Sequence, residues 1–207
     1  MAPQLQFWRP ETIESCPDNF PNSIRDGVYE AGSPWFDYLF GSPSAARSTL
    51  LEWISRKSSE VYVKNCVLAT DGPHYVGGFC ALTCDELLRC RRADGLTMIA
   101  RAPRHERGRI QELFAESASL FPMPNPEEYY LSKLWVSPRY RGKGYSLPIL
   151  QHFLDHGRQA GFRSWRLEVY ADNFAARHLY LRAGFLESSA TQSRGLLYLT
   201  MIKTDDR

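Results

Sequence analysis

No apolar stretch in this 207-residue sequence approaches the roughly 18 residues that a membrane-crossing helix needs, so no membrane partner is expected. A dominant charge is missing too. Lys and Arg number 25 against 23 Asp and Glu, a formal net charge of +2. That balance offers little footprint for a nucleic-acid backbone, and none is expected as a partner. Cysteine is sparse and irregular: five residues, an odd number, with no C-x-x-C pair. Reduced, packed thiols are the expectation, because Cys80, Cys84 and Cys90 lack the usual zinc spacings. There is no H-E-x-x-H. His152 and His156 stand i, i+4 apart, but the one nearby carboxylate, Asp155, faces elsewhere, so no metal site is expected. The absence of G-x-S-x-G excludes the nucleophile elbow of an α/β-hydrolase. The opening M-A-P-Q-L-Q-F-W-R lacks the basic-then-apolar order of a secretory signal, and a cytoplasmic location is expected.

What the chain does have is concentrated in residues 130–146, Y-L-S-K-L-W-V-S-P-R-Y-R-G-K-G-Y-S. A strand-like run stops at Ser137-Pro138. Gly142 and Gly144 follow, interleaved with Arg139, Arg141 and Lys143, and a helical pattern then begins. Glycines allow positive φ and close approach of the backbone. The open N–H groups and dipole of a helix start favour an anion, and the basic side chains add charge-assisted hydrogen bonds. This is a phosphate-binding layout. It is not a P-loop, since no G-x-x-x-x-G-K-[ST] occurs. It is not the dinucleotide fingerprint either, because Leu147 stands where the third glycine would be.

The pattern R139-x-x-G142-x-G144 resembles the signature of the GNAT superfamily of acyl-CoA-dependent N-acyltransferases. A second stretch strengthens the likeness. S-W-R-L-E-V-Y (residues 164–170) reads as a strand, and N173-F-A-A-R-H-L-Y-L-R-A-G184-F185 as a helix. Asp172 or Asn173 suits its N-cap, and Gly184 its C-terminal cap. Ala176, Leu179, Tyr180 and Ala183 share one face. The spelling N-x-x-A-x-x-L-Y-x-x-x-G-F is also similar to the family's. The resemblance covers residues 129–185.

Other strands are expected at 4–9, 61–70, 74–83, 129–137 and 196–203. Further helices are expected near 24–31, 44–56 (core candidates Ala45, Leu50, Leu51 and Ile54) and 146–160. Residues 85–126 form an excursion with helices near 85–92 and 105–120, long for a connection in a compact fold. The expected organisation is one domain over 1–207 carrying this inserted helical arm. Antiparallel strands followed by alternating strands and helices point to an α/β fold with a mixed sheet. The resemblance specifies it: a GNAT-like, mainly antiparallel sheet flanked by helices, its central strands splayed to admit acyl-CoA.

Acetyl transfer to an amine requires a neutral nitrogen. At pH 7 a primary amine of pKa near 10.4 is neutral about once in 10³ molecules, a cost of roughly 4–5 kcal/mol. A general base, or an amine of lowered pKa, therefore helps. By the resemblance, the backbone at Trp135 and Val136 would bond the pantetheine and acyl carbonyl. Arg141, Gly142, Lys143, Gly144, Tyr145 and Ser146 would hold the pyrophosphate, although the family often has Gly or Ala where Ser146 stands. Asn173 would bind cofactor, and Tyr180 would protonate the leaving thiolate.

For the base, Glu128 is the first candidate, on a strand where Tyr130, Ser132, Leu134 and Val136 would share a face. A base acting through water, or none, is equally open. Glu168 sits between Leu167 and Val169 with either a substrate contact or no role. Trp35, Phe36, Tyr38 and Phe40 are candidates for an aromatic acceptor wall, or for plain packing. Residues 84–110 carry seven arginines against four acids. These could meet an acidic acceptor or the CoA 3′-phosphate, or simply be surface. The expected activity is transfer of acetyl from acetyl-CoA to a small-molecule primary amine. A protein or peptide acceptor and a non-catalytic acyl-CoA-binding module are the alternatives. Acyl preference and oligomeric state, a homodimer included, stay open.

Overall fold

The computed structural model describes residues 5–17 and 19–205. The strand β1 (Leu5–Trp8) is the sheet's first edge; Gln4, expected to begin it, lies outside the described residues. Helix α1 (Phe20–Gly32) carries Phe20, Ile24, Gly27 and Val28 on its buried side. The short α2 (Trp35–Phe40) ends at Gly41, whose φ of 82° only glycine adopts freely. In α3 (Pro43–Trp53), Ser42 caps the start by accepting the Ala45 N–H at 3.2 Å. Its buried positions are Ala46, Leu50 and Trp53, with Ile54 beyond, whereas Ala45 and Leu51 face outward. The expected stripe was one residue out of phase at Ala45.

The hairpin of β2 (Cys66–Asp71) and β3 (His74–Leu82) forms as expected, but residues 63–65 make a 3-10 turn, so β2 starts later than the apolar run. The arm expected as an insertion at residues 85–126 is two helices. α4 (Cys84–Arg101) starts at a capping box in which Thr83 and Glu86 satisfy each other's N–H, and it runs nine residues past the expected end at Arg92. α5 (Arg107–Leu120) follows. Then come β4 (Glu128–Val136), α6 (Ser146–Gln159), β5 (Ser164–Tyr170), α7 (Phe174–Arg182), β6 (Leu186–Ser193) and β7 (Leu196–Thr204). Strand β6 has no apolar alternation, and its residues are almost all exposed. Backbone pairing with β7 makes it a strand, and α5 covers it through the Thr191 hydroxyl on the Leu120 carbonyl (2.8 Å).

The sheet order is β1-β2-β3-β4-β5-β7-β6. Every pairing is antiparallel except β4 with β5. That parallel pair has four rungs, from Glu128↔Ser164 to Leu131↔Leu167, although β4 is nine residues long. Beyond Leu131 the two strands part. One residue later, β4 bulges: Cys80 pairs with Lys133 and Ala81 with Leu131, so Ser132 is the extra residue.

The bulge corrects the expected side-chain alternation. Tyr130 and Ser132 face one side, while Leu134 and Val136 pack on the other, with Tyr129 and Leu131. An extra residue shifts a period-2 pattern by one, and every side chain after it changes face. Beside a small apolar cluster of Leu82, Leu87 and Tyr130, two large ones result. One lies under α1, α2 and α3 and includes Trp135; the other lies under α6 and α7 and includes Tyr180.

Helix α1 sits against β4 through Gly27. A Cβ there would come within 2.1 Å of the Trp135 ring. Gly27→Ala must therefore displace an indole that is 3% exposed and already fixed by a 2.5 Å bond from its Nε1 to the Tyr75 hydroxyl. The expected cost is roughly 1–3 kcal/mol of stability, as for overpacking generally. Urea denaturation with an unchanged midpoint would contradict this packing.

Candidate active site

Four features compose the candidate site. The first is the turn after β4. Residues 138–140 form a 3-10 turn, and Gly142 and Gly144 have φ of 72° and 85°. Helix α6 begins without a side-chain cap at Tyr145, and Pro148 in its first turn has no N–H to leave unpaired. A Cβ on either glycine would meet no atom within 4 Å, so the turn opens outward. Arg141 donates from Nε to the Val136 carbonyl (3.1 Å), and its guanidinium pairs with Glu30 of α1. Lys143 lies 5.4 Å from the Tyr140 ring centre, and the Tyr145 hydroxyl donates to Asp71 at 2.6 Å.

The second piece is the start of α7. Asn173 accepts the Ala176 N–H at 3.1 Å as its N-cap. Tyr180, one face further along, is buried edge-on against Phe185, and burial raises its phenol well above the usual tyrosine range. The third is the gap itself. From Ser132 onward, the edge of β4 that faces β5 has no strand partner. Trp135 and Val136 lie on that stretch, paired on their other side with Gly78 and Gly77.

The fourth is a cavity of about 610 Å³ on the opposite sheet face from Tyr180. Trp35, Phe36 and Trp53 wall one side; Leu96, Phe114 and Phe121 from the inserted arm wall the other. Tyr130, Ser132, Lys133 and Glu168 floor it. Three of these four immediately follow the last rung, Leu131↔Leu167, so the floor is where the strands part.

The floor is a hydrogen-bonded charge network. The Tyr130 hydroxyl donates to Glu168 at 2.6 Å and receives Arg91 Nη2 at 3.1 Å. Arg166 holds Glu168 from behind at 2.9 Å. Glu60 accepts from the Ser132 hydroxyl and lies 3.2 Å from Arg91 and 3.5 Å from Lys133. Burial pushes the Glu60 carboxyl up, but Arg91, Lys133 and the hydrogen bonds outweigh it and hold it at about 2. Asp94 of α4 accepts from the Ser59 hydroxyl and the Glu60 N–H and pairs with Arg56. Burial there pushes it up to about 7, against those partners.

Glu128 lies at the start of β4 and not among the cavity walls. Its carboxylate accepts the Asn125 N–H at 2.7 Å and sits 3.7 Å from Arg166. Of the four candidate aromatics, Trp35 and Phe36 line the cavity. Tyr38 is 41% exposed, and Phe40 packs on Phe36 and Trp53. From the arginine-rich arm, Arg91 and Arg92 reach the cavity, while Arg101 pairs with Glu52 on the surface. His152 stacks on Phe7 at 3.9 Å, and His156 lies between Arg9 and Tyr129. Glu60 and Lys133 escaped sequence reasoning, since nothing in S-S-E-V-Y marks a buried carboxylate. Glu168 alone carried a signal, a charge between two core residues of a strand.

The model of the acetyltransferase (GNAT) family matches residues 26–185. Over 70 residues, 34% of this chain, the sequence is 34% identical to the uncharacterized N-acetyltransferase YycN of Bacillus subtilis; the match spans only 45% of that relative. Among solved structures, an N-acetyltransferase from Staphylococcus aureus Mu50 superposes with a TM-score of 0.67 at 16% identity, covering 88% of this chain and 94% of that one. The NatC complex bound to Gag peptide and CoA superposes at 0.55 and 15% identity, covering 98% and 99%. At these identities the structural likeness concerns the fold. Among the described residues, no helix is long and apolar enough to cross a membrane.

The Glu60 network has a measurable consequence. Its folded pKa of about 2 lies below the ordinary 4.5, so its stabilising contribution is complete above about pH 5 and is lost as pH falls toward 2. Glu60→Gln leaves two half-buried cations short of a partner, and the expected cost is about 2–3 kcal/mol, below the roughly 3–5 kcal/mol of a fully buried pair. Denaturant titrations should show that loss near pH 7 and a smaller gap between variant and wild type near pH 2. A constant gap across that range would show that Glu60 is not the titrating partner.

Proposed function

Since the chain belongs to the acetyltransferase (GNAT) family of acyl-CoA-dependent acyltransferases, we propose that it moves an acetyl group from acetyl-CoA directly to a primary amine of a small molecule. One observation carries the small-molecule reading. The inserted helices α4 and α5 wall in a cavity of about 610 Å³ whose floor meets the gap between β4 and β5. A compact acceptor fits such a space; a peptide calls for an open groove.

The donor side fits an acyl-CoA. The outward-facing Gly142 and Gly144, the uncapped start of α6, and Arg141, Lys143, Tyr145 and Ser146 offer N–H groups and positive charge to the pyrophosphate. Asn173 adds a polar group at the start of α7. The unpaired edge of β4 at Trp135 and Val136 offers fixed backbone dipoles to the pantetheine and the acyl carbonyl.

Acetyl-CoA supplies a thioester: the amine nitrogen bonds to its carbonyl carbon and the C–S bond breaks. Tyr180 carries its proton at neutral pH, as a phenol of ordinary pKa near 10 does, and passes it to the leaving thiolate; the phenolate then regains a proton from water. The amine's own proton leaves to water. The floor sets two cations, Lys133 and Arg91, against two carboxylates, Glu60 and Glu168, all already bonded to protein groups, and offers no unengaged base. Glu128, engaged by the Asn125 N–H outside the cavity, takes no direct part in this reading.

Calorimetric titration with acetyl-CoA tests the donor side. Wild type should bind, and Gly142→Glu, which puts a carboxylate and a strained φ into the turn, should lose binding at least tenfold. With an acceptor in hand, Tyr180→Phe should lower kcat by about 10²-fold, the lower end for general acid catalysis, with little change in KM for acetyl-CoA. Undiminished turnover would remove Tyr180 from the chemistry.

A further inference from the structure

Three carboxylates line the cavity, Glu60, Asp94 and Glu168, and three cations, Arg91, Arg92 and Lys133, but partners outside the lining tip this balance toward positive. Asp94 is already paired with Arg56. Glu168 is paired with Arg166, which Glu128 shares from outside the cavity. Glu60 alone faces both Arg91 and Lys133. Arg92 makes no ion pair and no side-chain hydrogen bond among the described residues, and it is exposed. It stands one helical turn after Leu88 and one before Leu96, which also line the cavity, so α4 presents a free guanidinium within an apolar stripe. The surrounding walls are aromatic, Trp35 and Phe36 opposite Phe114 and Phe121.

Such a site treats the classes of amine differently. A polyamine or amino sugar would bring further positive charge to a cavity with a positive surplus and would bury its polar body against rings. A plain hydrophobic amine would fill the apolar space but leave Arg92 without a counter-ion. An amine that also carries a carboxylate on an apolar or aromatic body satisfies both features, and a guanidinium is the side chain best shaped to receive that carboxylate. Resting on the acetyl-transfer reading above, we propose that the acceptor is a carboxylated amine of the amino-acid class with an apolar or aromatic body, and that Arg92 is the residue that selects its carboxylate.

Two matched pairs test this: L-phenylalanine against phenethylamine, and 4-(aminomethyl)benzoate against benzylamine, with spermidine as the polycationic control. Release of free CoA thiol gives kcat/KM for each, and calorimetry with acetyl-CoA is run on the same preparations. The proposal expects the carboxylated member of at least one pair to be favoured tenfold or more, spermidine to be the poorest acceptor, and Arg92→Ala to bring the favoured ratio close to one. Arg92→Lys, which keeps the charge without the fork, should retain part of the preference. If acetyl-CoA binds but the uncarboxylated amines or spermidine are preferred, or no probe is acetylated, the acceptor assignment is overturned while donor binding stands. If acetyl-CoA does not bind, the transfer reading fails, and this one with it.

Discussion

The parting of β4 and β5 after Leu131↔Leu167 is the feature on which the rest of the molecule turns. A parallel pair inside a seven-stranded sheet would ordinarily continue to pair, because unpaired buried backbone N–H and C=O groups are costly. Here pairing stops after four rungs, and the bulge at Ser132 falls at the next position. The bulge turns β4 away from β5 and reassigns its side chains. Ser132 and Lys133 then line the cavity, and Leu134 and Val136 return to the α6 core. One inserted residue thus opens the sheet and equips the opening with a hydroxyl and an ammonium.

Holding that opening needs ties across it, and the charge network provides them. Tyr130 of β4 donates to Glu168 of β5 across the point of divergence. Arg91 of the inserted arm binds Tyr130, Glu60 and the Phe121 carbonyl, so α4 is fastened to the floor by one guanidinium. Glu60 connects the segment after α3 to Ser132 and Lys133 on β4. Each buried charge has a partner, as buried ions require. The network therefore links both walls of the cavity to the strands that part beneath it. Glu60 at its centre is held as an anion by Arg91 and Lys133, which suits a structural role better than proton abstraction.

Much of this was readable in advance, and the boundary is physical. The glycine turn, the helix starts at Ser146 and Asn173 and the placement of Tyr180 follow from short-range rules: positive φ at Gly142 and Gly144, capping, and helical period. Strand β6 was invisible because L-E-S-S-A-T-Q-S has no apolar alternation; its partner β7 makes it a strand. The reversal of faces after Ser132 was equally hidden, since a bulge belongs to the pairing of two strands and leaves no mark in either alone. Glu60 sits in a polar run before β2, and its partners lie 31, 72 and 73 residues away in Arg91, Ser132 and Lys133. Long-range electrostatics of this kind is not written in local spacing.

The two sides of the gap also constrain how a transfer could proceed. Tyr180 lies in the core under α6 and α7, while the aromatic cavity lies on the face of α1, α2 and the inserted arm. A thiolate generated near Tyr180 and an amine arriving through the cavity would approach one carbonyl from opposite faces of the sheet. The gap past Leu131 lies between those faces. That arrangement favours attack by the amine on the thioester itself, since both reactants can reach the same opening together. A route through a covalent acyl-enzyme would need an activated nucleophile at the gap. On the strands that part, the cavity-lining hydroxyls are Ser132, already donating to a carboxylate, and Tyr130, held between Arg91 and Glu168; Ser117 and Tyr198 line the cavity from α5 and β7. Neither Ser132 nor Tyr130 has a free base at hand, which supports the direct transfer proposed for this opening.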